Sequence, residues 1–284
     1  MINHNSCGTG DKPPGRVAHA TLAPADRPSI VPAMSKPAVL VTGGAKRIGA
    51  EICRAFAAAG WHVVIHYGTS GEAATRLAAA LPSAETVQCD LADDAAAVAM
   101  AEALAARLND WRCLVANASV FEADSAERID PAVAGRAWAI NALVPMRMAQ
   151  AFLASARSTA GRRVIQLTDQ KLAHPNPDFF SYSMSKYAVD GGSLMLSMAG
   201  SQSDRIYRLA PGAILASHDQ SHEEAEVSHR LNLLERRTEA HEVAEAALFL
   251  ATGPLASGST LIVDSGQHLL DQERDVIYLA REEG

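Results

Sequence analysis

Residues 38–49 read AVLVTGGAKRIG, and this stretch decides the fold. Its first four residues are all apolar, as expected of a parallel strand that is covered on both faces. The glycines that follow permit a tight turn, apolar residues then recur at helical spacing as far as Phe56, and Gly60 ends the helix. A strand that passes through a glycine-rich turn into a helix predicts the first βα unit of an α/β sheet.

The same alternation continues along most of the chain. Further strand patterns lie at 62–67, 86–91, 113–118, 163–168, 205–210 and 260–264. Helical patterns lie near 71–81, 94–108, 131–157, 180–200 and 240–251. Such alternation produces βαβ units with right-handed crossovers and one parallel sheet. We therefore predict a single doubly wound, Rossmann-type α/β domain over residues 34–271, with a parallel seven-stranded sheet and helices on both faces.

The two ends of the chain depart from this pattern. Residues 1–33 are rich in Pro, Gly and Ser and have no hydrophobic periodicity, which is the composition of a disordered extension. They lack the apolar segment of a secretory signal, and Met34 offers a later translational start. Residues 272–284 form an acidic and apolar tail to which the sequence assigns no role.

Composition excludes several classes of function. The formal charge of −7 argues against a nucleic-acid partner, because duplex binding depends on neutralising phosphates. No apolar run approaches the roughly 20 residues of a membrane span. The four cysteines, Cys7, Cys53, Cys89 and Cys113, have no metal-binding spacing. The last three lie inside strand or helix patterns, as expected of reduced thiols in a cytoplasmic protein.

Residues 213–237 are polar, rich in His and Glu, and weakly periodic. Because loops at the carboxyl ends of parallel strands line the ligand crevice, we expect a lid in this stretch. His218 and His222 are four residues apart and His229 follows, which is one pattern of a metal site. No acidic general base or cysteine completes that site, so a solvated loop is favoured and no metal is predicted.

The glycine-rich turn predicts a dinucleotide site. Unpaired N–H groups at the start of the helix would bind a pyrophosphate. Sites that prefer NAD usually place an acid at the end of the second strand, but residues 66–70 contain none. Lys46 and Arg47 put positive charge where a 2′-phosphate could be met, which favours NADPH over the alternative of two solvated turn residues. Two roles are equally favoured for Asp90: its side chain contacts the adenine, or it caps the helix that begins near Asp93.

A second motif carries proton chemistry. The pKa of an ordinary tyrosine, near 10, is too high for proton exchange at neutral pH. Lys186 lies one helical turn after Tyr182, where its charge would stabilise the phenolate and hold the nicotinamide ribose. Tyr-x-x-x-Lys after a strand is the acid/base signature of a large class of reductases. Asn141, inside an apolar helical pattern, either satisfies a buried carbonyl or holds a water for a proton relay.

Asp169 lies thirteen residues before Tyr182, where most members of that class have serine. A carboxylate beside a catalytic tyrosine suits a nitrogen-rich ring better than a plain ketone, because its charge would repel a developing alkoxide. Asp169 therefore favours a nitrogen-rich ring over a plain ketone as the predicted substrate.

These residues resemble the short-chain dehydrogenase/reductase family over about Ala38 to Leu269. The shared motifs are the Thr-Gly-x-x-x-x-Ile-Gly turn, Asn117-Ala118, Asn141, Tyr182 with Lys186, and Pro211-Gly212. Within that family the chain is similar to the pteridine reductases, including the bacterial dihydromonapterin reductases. That narrower resemblance depends on Arg47 in place of a common glycine, on Asn117-Ala118-Ser119-x-Phe121, and on Asp169.

The resemblance implies a role for each of these residues. A pterin would stack between the nicotinamide and Phe121. Arg47 and Ser119 would contact the cofactor phosphates and the polar edge of the pterin. Asp169 would bond the amino-pyrimidine nitrogens or deliver a proton with Tyr182. NADPH would then reduce a C=N bond of a 7,8-dihydropterin to the tetrahydro form, in an enzyme that is commonly a homotetramer.

The predicted site combines the sequence motifs with the resemblance. Its cofactor-binding residues are Gly43, Lys46, Arg47, Ile48, His66, Tyr67, Ser70, Asp90, Leu91, Asn117, Ala118, Ser119, Thr168, Tyr182, Lys186, Pro211 and Gly212. Its substrate-binding residues are Arg47, Ser119, Phe121, Asp169 and Tyr182. Its catalytic residues are Asp169, Tyr182, Lys186 and Asn141.

Three departures and two alternatives accompany this prediction. Gly68 and Thr69 stand where basic residues often hold the 2′-phosphate, Asp264-Ser265-Gly266 replaces the usual Asp-Gly-Gly, and Ile206–Leu209 lacks a common asparagine. A carbonyl reductase of the same family is the first alternative, but it would prefer serine to Asp169. A dinucleotide-binding sensor without turnover is the second, although a sensor would not need the tyrosine and lysine.

Overall fold

The computed structural model describes residues 36–216 and 220–282, so the predicted extension 1–33 lies outside the described residues. Internal contacts group the chain from Ser35 to Gly284 into one unit. Its seven strands are Ala38–Val41 (β1), His62–Tyr67 (β2), Ala84–Gln88 (β3), Trp111–Ala116 (β4), Arg163–Leu167 (β5), Arg205–Pro211 (β6) and Thr260–Val263 (β7). The α-helices of the described residues are Arg47–Ala58 (α1), Gly71–Ala80 (α2), Asp94–Arg107 (α3), Pro131–Ala137 (α4), Val144–Ser155 (α5), Phe180–Ala199 (α6), His222–Ser228 (α7), Ala240–Thr252 (α8) and Val276–Glu282 (α9).

All seven strands are parallel, in the order β3-β2-β1-β4-β5-β6-β7. This confirms the predicted doubly wound, Rossmann-type fold. The strand order reverses between β1 and β4, and ligands of such sheets bind outside the carboxyl ends of the strands at this switch point. We therefore expect a ligand to bind at the turns that follow β1 and β4.

The sheet separates two apolar layers. Val39 and Val41 of β1 pack on one side with Phe56 of α1 and Leu250 of α8. Leu40, on the opposite face of the same strand, packs with side chains of α3 and α5 on the other side. Both faces of β1 are thus covered, which explains why its sequence is apolar at every position.

Several predicted stretches differ in detail from the structure, and the strands predicted at 86–91 and 113–118 begin and end two or three residues earlier. The helix expected at 131–157 is divided into α4, a π-helical turn at Trp138–Leu143, and α5. The stretch 213–237 contains α7, which begins with a capping box between Ser221 and Glu224. His218 lies outside the described residues.

The three cysteines of the described residues are buried. Cys53, Cys89 and Cys113 are free thiols in the interior, and burial raises the pKa of Cys53 to about 12. Among residues 36–216 and 220–282, no helix combines the length and the apolar character needed to cross a bilayer.

Candidate active site

The turn after β1 depends on two glycines. Gly43 has a φ of 61°, a left-handed conformation that glycine adopts without steric cost. A Cβ on Gly49 would lie 2.3 Å from the carbonyl oxygen of Gly43 and 2.7 Å from Nδ2 of Asn117. Only glycine therefore allows the first turn of α1 to pack this closely against the turn and the end of β4.

Asn117 ties the turn after β1 to the turn after β4. Its Nδ2 donates to the carbonyl oxygens of Thr42 at 2.9 Å and Gly43 at 3.3 Å. The backbone N–H groups of Asn117 and Ala118 both donate to Oγ1 of Thr42, at 2.9 and 3.0 Å. These bonds hold the two strand ends of the switch point in one fixed arrangement.

His66 supports the turn from inside the protein and is 2% exposed. Its Nδ1 accepts from the backbone N–H of Gly43 at 3.1 Å, so the proton is on Nε2, which donates to the carbonyl oxygen of Cys89 at 3.1 Å. Burial lowers the pKa of this imidazole and favours its neutral form. His66 thus supports the turn and does not form part of the crevice wall described next.

A crevice of about 530 Å³ opens at the carboxyl ends of β1, β4, β5 and β6. Twelve of the predicted cofactor residues line it: Gly43, Lys46, Arg47, Ile48, Asn117, Ala118, Ser119, Thr168, Tyr182, Lys186, Pro211 and Gly212. Gly49 and Leu167 line it as well and were not predicted. Contact of His66, Tyr67, Ser70, Asp90 and Leu91 with a nucleotide stays a prediction.

Asp90 does not cap α3, which was one of its two expected roles, and its contact with an adenine stays a prediction. Its Oδ1 accepts from the backbone N–H of Ala92 at 2.9 Å, in the turn before α3. The N-cap of α3 is Asp93, whose side chain accepts from Ala96 at 3.0 Å. Asp90 therefore stabilises the approach to the helix rather than its first turn.

The start of α1 is suited to a dinucleotide phosphate. Lys46 is its N-cap and makes no side-chain capping bond, so no side chain occupies the first N–H groups. Lys46 and Arg47 are exposed and line the crevice. Free N–H groups, the positive end of the helix dipole and two cations form an arrangement that binds anions.

Tyr182 and Asp169 form a hydrogen-bonded pair where the crevice narrows. The Tyr182 hydroxyl donates to Oδ2 of Asp169 at 2.5 Å, and Tyr182 is 8% exposed. Nζ of Lys186 lies 5.5 Å from the centre of the Tyr182 ring and donates to the carbonyl oxygen of Leu167 at 2.8 Å. The spacing in sequence thus brings the three side chains together, while their catalytic roles stay predictions.

Burial dominates the electrostatics of these three groups. It raises the pKa of Asp169 above its ordinary value, although the bond from Tyr182 and the charges of nearby lysines act in the opposite direction. Burial, and then the charge of Asp169, raise the pKa of Tyr182 well above 10. Burial lowers the pKa of Lys186 to about 8. The site therefore holds a carboxyl group that takes up a proton more readily than an exposed one would.

Asn141 lies in the π-helical turn and joins two segments of the site. Its Oδ1 accepts from the backbone N–H of Val120 at 2.8 Å and from Oγ of Ser119 at 3.1 Å. Its Nδ2 donates to the carbonyl oxygen of Val120 at 2.9 Å and to Oγ of Ser185 at 3.1 Å. Its amide is thus fully used by protein groups, which is the first of its two predicted roles. A direct part in catalysis stays a prediction.

A second cavity, of about 220 Å³, continues from the crevice. The two share Arg47, Ile48, Phe121, Asp169, Tyr182 and Gly212. Residues of the stretch 213–237 and of the C-terminal segment complete its wall: Ala213, Ile214, Leu215, Gln220, Ser228, His229, Asp275, Val276 and Ile277. Gln170, Lys171 and Gln267 also line it. A small molecule in this cavity could contact Asp169 and Tyr182.

Aromatic rings extend from this second cavity. The ring of Phe121 stacks on that of Phe179 with centres 4.0 Å apart and meets Tyr182 edge-on at 4.7 Å. Tyr278 of α9 stacks on the far side of Phe179 at 5.8 Å. Phe179 has a φ of 51°, a conformation that costs a non-glycine residue free energy. Neither Phe179 nor Tyr278 belongs to any motif of the sequence.

No group of three or more His, Cys, Asp or Glu side chains that could hold a metal occurs within 36–216 and 220–282.

The model of the family described as enoyl-(acyl carrier protein) reductase matches residues 43–268, which is most of the chain. The chain belongs to the short-chain dehydrogenase/reductase family. It is therefore an NAD(P)-dependent oxidoreductase, and the motifs at Gly43, Asn117, Tyr182 and Lys186 are those of this family.

Relatives in this short-chain dehydrogenase/reductase family differ in their named activities. Pteridine reductase 1 of Leishmania tarentolae is 28% identical over 82% of this chain and 96% of its own length. The putative ketoacyl reductase 2 of the granaticin polyketide synthase of Streptomyces violaceoruber is 26% identical over 82% and 97%. FolM alternative dihydrofolate reductase 1 of Brucella canis, solved with NADP, is 30% identical with a TM-score of 0.78, over 83% of this chain and 95% of that one.

Proposed function

We propose that this protein reduces a 7,8-dihydropterin, such as a dihydromonapterin, dihydrobiopterin or dihydrofolate, to the tetrahydro form with NADPH. The observation that carries the proposal is the 2.5 Å bond between the Tyr182 hydroxyl and Asp169 at the junction of the two cavities. Reduction of a C=N bond requires a proton at nitrogen and a hydride at carbon. The pair is placed to supply the proton.

Asp169 favours a nitrogen-rich substrate over a ketone. A carboxylate accepts hydrogen bonds from ring N–H and amino groups, whereas the alkoxide that develops from a ketone would be repelled by its charge. Because burial raises the pKa of Asp169, the group also exchanges protons closer to neutral pH than an exposed carboxyl would. We infer that Asp169 binds the pterin and passes its proton through Tyr182.

Arg47 and Phe121 support the same assignment from other elements. Each lines both cavities, so each can contact a cofactor on one side and a substrate on the other. A flat bicyclic ring fits an offset arrangement against Phe121. The Arg47 guanidinium can donate to a phosphate and to a polar pterin edge. Ser119 lines the crevice beside them.

NADPH is the proposed cofactor and would supply the hydride when bound. The exposed cations Lys46 and Arg47 would meet its 2′-phosphate, and the uncapped start of α1 would hold its pyrophosphate. Lys186, whose Nζ lies near the Tyr182 ring, would hold the nicotinamide ribose. The NADP in the Brucella canis structure supports this choice.

A carbonyl or ketoacyl reductase is the second candidate, because the Streptomyces violaceoruber relative carries that name. The aspartate at position 169 weighs against it for the electrostatic reason given above. The candidates therefore differ in one measurable property, which is the substrate that is turned over.

We further propose a cytoplasmic homotetramer. Helix α6 exposes an apolar stripe at helical spacing: Met184, Tyr187, Leu194, Met195 and Met198. Gly191 lies within this stripe, and a Cβ added there would meet open space, so a second helix could approach closely. An exposed apolar patch of this kind is typical of a subunit interface.

The test measures NADPH oxidation with dihydromonapterin, dihydrobiopterin, dihydrofolate and a keto ester in parallel. We expect turnover of at least one dihydropterin and little turnover of the keto ester. Turnover of the keto ester alone would contradict the pterin assignment. NADPH binding without oxidation of any substrate would instead indicate a sensor.

A further inference from the structure

The C-terminal segment Arg274–Tyr278 is anchored beside the start of α6. Nε of Arg274 donates to Oδ2 of Asp178 at 2.9 Å, and the backbone N–H of Asp275 donates to the same oxygen at 2.8 Å. Asp178 is 6% exposed. Ile277 packs with Phe179 and Tyr182 in a small apolar cluster. The segment therefore forms a wall of the second cavity within the same chain.

Lys171 connects this segment to the catalytic pair. Its Nζ donates to the carbonyl oxygen of Asp178 at 2.7 Å and to Oδ2 of Asp275 at 3.1 Å. Its backbone N–H donates to Oδ1 of Asp169 at 2.8 Å, so the same residue holds the oxygen that does not face Tyr182. Lys171 is 5% exposed. Lys171 thus contacts three segments: its buried ammonium bonds Asp178 and Asp275, and its backbone N–H bonds Asp169.

We propose that Lys171 and Asp275 are positioning residues of the reaction, and that the C-terminal segment is part of the active site. Together they orient the Asp169 carboxyl and set the balance of charge around it and Tyr182. The inference rests on the proposed function for the reaction in which the pair acts, but the arrangement of charges can be tested without turnover.

An ion pair with little exposure to solvent, its side chains 6% and 13% exposed, indicates a role beyond stability at this place. Desolvation of two charges offsets most of their attraction, and apolar side chains would pack the wall at least as well. The pair also contacts the cavity directly, since Lys171 and Asp275 both line it. An ion pair beside a proton-transfer group changes the pKa of that group through the charges of its two members.

The charged and titratable groups around the catalytic pair come from five elements. Lys186 faces it from α6, and Lys171 from the short turn after β5. Asp275 faces it from the C-terminal segment. Arg47 of α1 and His229 after α7 line the same cavity. The charge of Lys171 lowers the pKa of Asp169, and that of Asp275 raises the pKa of Tyr182. The two members of the ion pair thus act in opposite directions.

The test compares two variants, Lys171→Met and Asp275→Asn. In each, NMR follows the resonance of the Asp169 carboxyl carbon as a function of pH, which gives the pKa of Asp169. That resonance is identified because it disappears in Asp169→Asn. Loss of a nearby positive charge should raise the pKa of Asp169, and loss of a nearby negative charge should lower it, each by roughly half to one unit. A segment that was only structural would loosen in both variants and admit water, which would lower the pKa in both. If the pKa of Asp169 shifted in the same direction in both variants, or in neither, the proposal would be overturned.

Activity provides a second readout. With a dihydropterin, kcat/KM should fall about tenfold in both variants because Asp169 is misplaced, while the Kd for NADPH stays within about threefold. Glu273→Gln, an exposed carboxylate two residues from Asp275, and Lys36→Met, an exposed lysine, are the matched controls and should behave as the wild type.

Two further comparisons keep the outcomes distinct. If Lys171→Met does not fold, Lys171→Gln replaces it, because the amide still donates to the carbonyl of Asp178. Lys171→Arg keeps the charge and should restore the wild-type titration. If the wild type reduces no dihydropterin, the proposed function fails, whereas the opposite shifts of the Asp169 resonance still decide the present inference.

Discussion

Arg47 is the residue at which local strain and the proposed function coincide. It begins α1 with a φ of 54°, a conformation that costs an arginine about 1 kcal/mol. Glycine, common at this position in the family, would adopt it freely. The same side chain lines both cavities. A strained residue at a site of this kind indicates that its side chain has a function that compensates for the strain.

Arg47→Gly should therefore leave stability nearly unchanged, within about 0.5 kcal/mol, because relief of strain offsets the greater entropy of glycine in the unfolded chain. Arg54→Gly, in the same helix at an exposed position of ordinary φ, should lose about 1 kcal/mol. Denaturant unfolding measures both. The Kd for NADPH should rise about tenfold in Arg47→Gly only, since a charged hydrogen-bonding group is lost. Equal destabilisation would contradict the assignment of strain.

Asp169→Ser tests the residue that selects the substrate. We expect kcat/KM for a dihydropterin to fall about a hundredfold, because a general acid/base group is lost, with little change in the Kd for NADPH. Asp271→Ser, at a side chain that is 91% exposed, is the matched control. Steady-state kinetics and fluorescence titration with NADPH give the two values. Equal losses in both properties would show that Asp169 has a different role.

At the scale of elements, the sequence pattern predicted most of the helices and strands. It did not predict the π-helical turn that divides the helix expected at 131–157. That turn is stabilised by bonds from Asn141 to Val120 and Ser185, which are far away in sequence. Helical periodicity reports which face of a segment is buried and contains no information about such contacts. The only local sign of these contacts in the sequence was a polar residue, Asn141, within an apolar pattern.

The contact between His66 of β2 and the turn after β1 predicts a dependence on pH. Burial lowers the pKa of His66 below its ordinary 6.5, so the unfolded chain binds the extra proton more readily than the folded chain. Stability from this group is therefore present above pH 6.5 and is lost progressively as the pH falls below that value through the lowered pKa of the folded state. Protonation of Nδ1 would also remove the acceptor for Gly43.

His66→Asn places an amide oxygen where Nδ1 accepts and removes the titration. The loss of Tm between pH 7.5 and 5.5 should be smaller in this variant than in the wild type, though still present, because burial also lowers the pKa of His229. Thermal unfolding at several pH values measures this difference. An unchanged dependence on pH would exclude His66 as a contributor.

At the scale of the whole molecule, the exposed stripe of α6 predicts assembly. Met195 is 68% exposed at the centre of that stripe. Met195→Glu should convert the expected tetramer into a smaller species, because burying a charge in an apolar interface is unfavourable. Ala79→Glu, on an exposed face of α2, should leave the mass unchanged. Light scattering after size-exclusion chromatography measures both, and a wild-type monomer would refute the tetramer.

Hydrophobic periodicity and short motifs in the sequence predicted the order of elements along the chain and the glycine-rich turn, and they placed Asp169, Tyr182 and Lys186 in one short stretch, because each of these depends on residues close together in the chain. Only the tertiary structure brought in Lys171 and Asp275, which are 104 residues apart and meet through a single ion pair. It alone placed Phe179 and Tyr278 beside Phe121. Such contacts follow from how loops and the C-terminal segment pack, and no local spacing encodes them. The sequence therefore indicated the residues of the proposed site, and the packing decided which distant residues surround them.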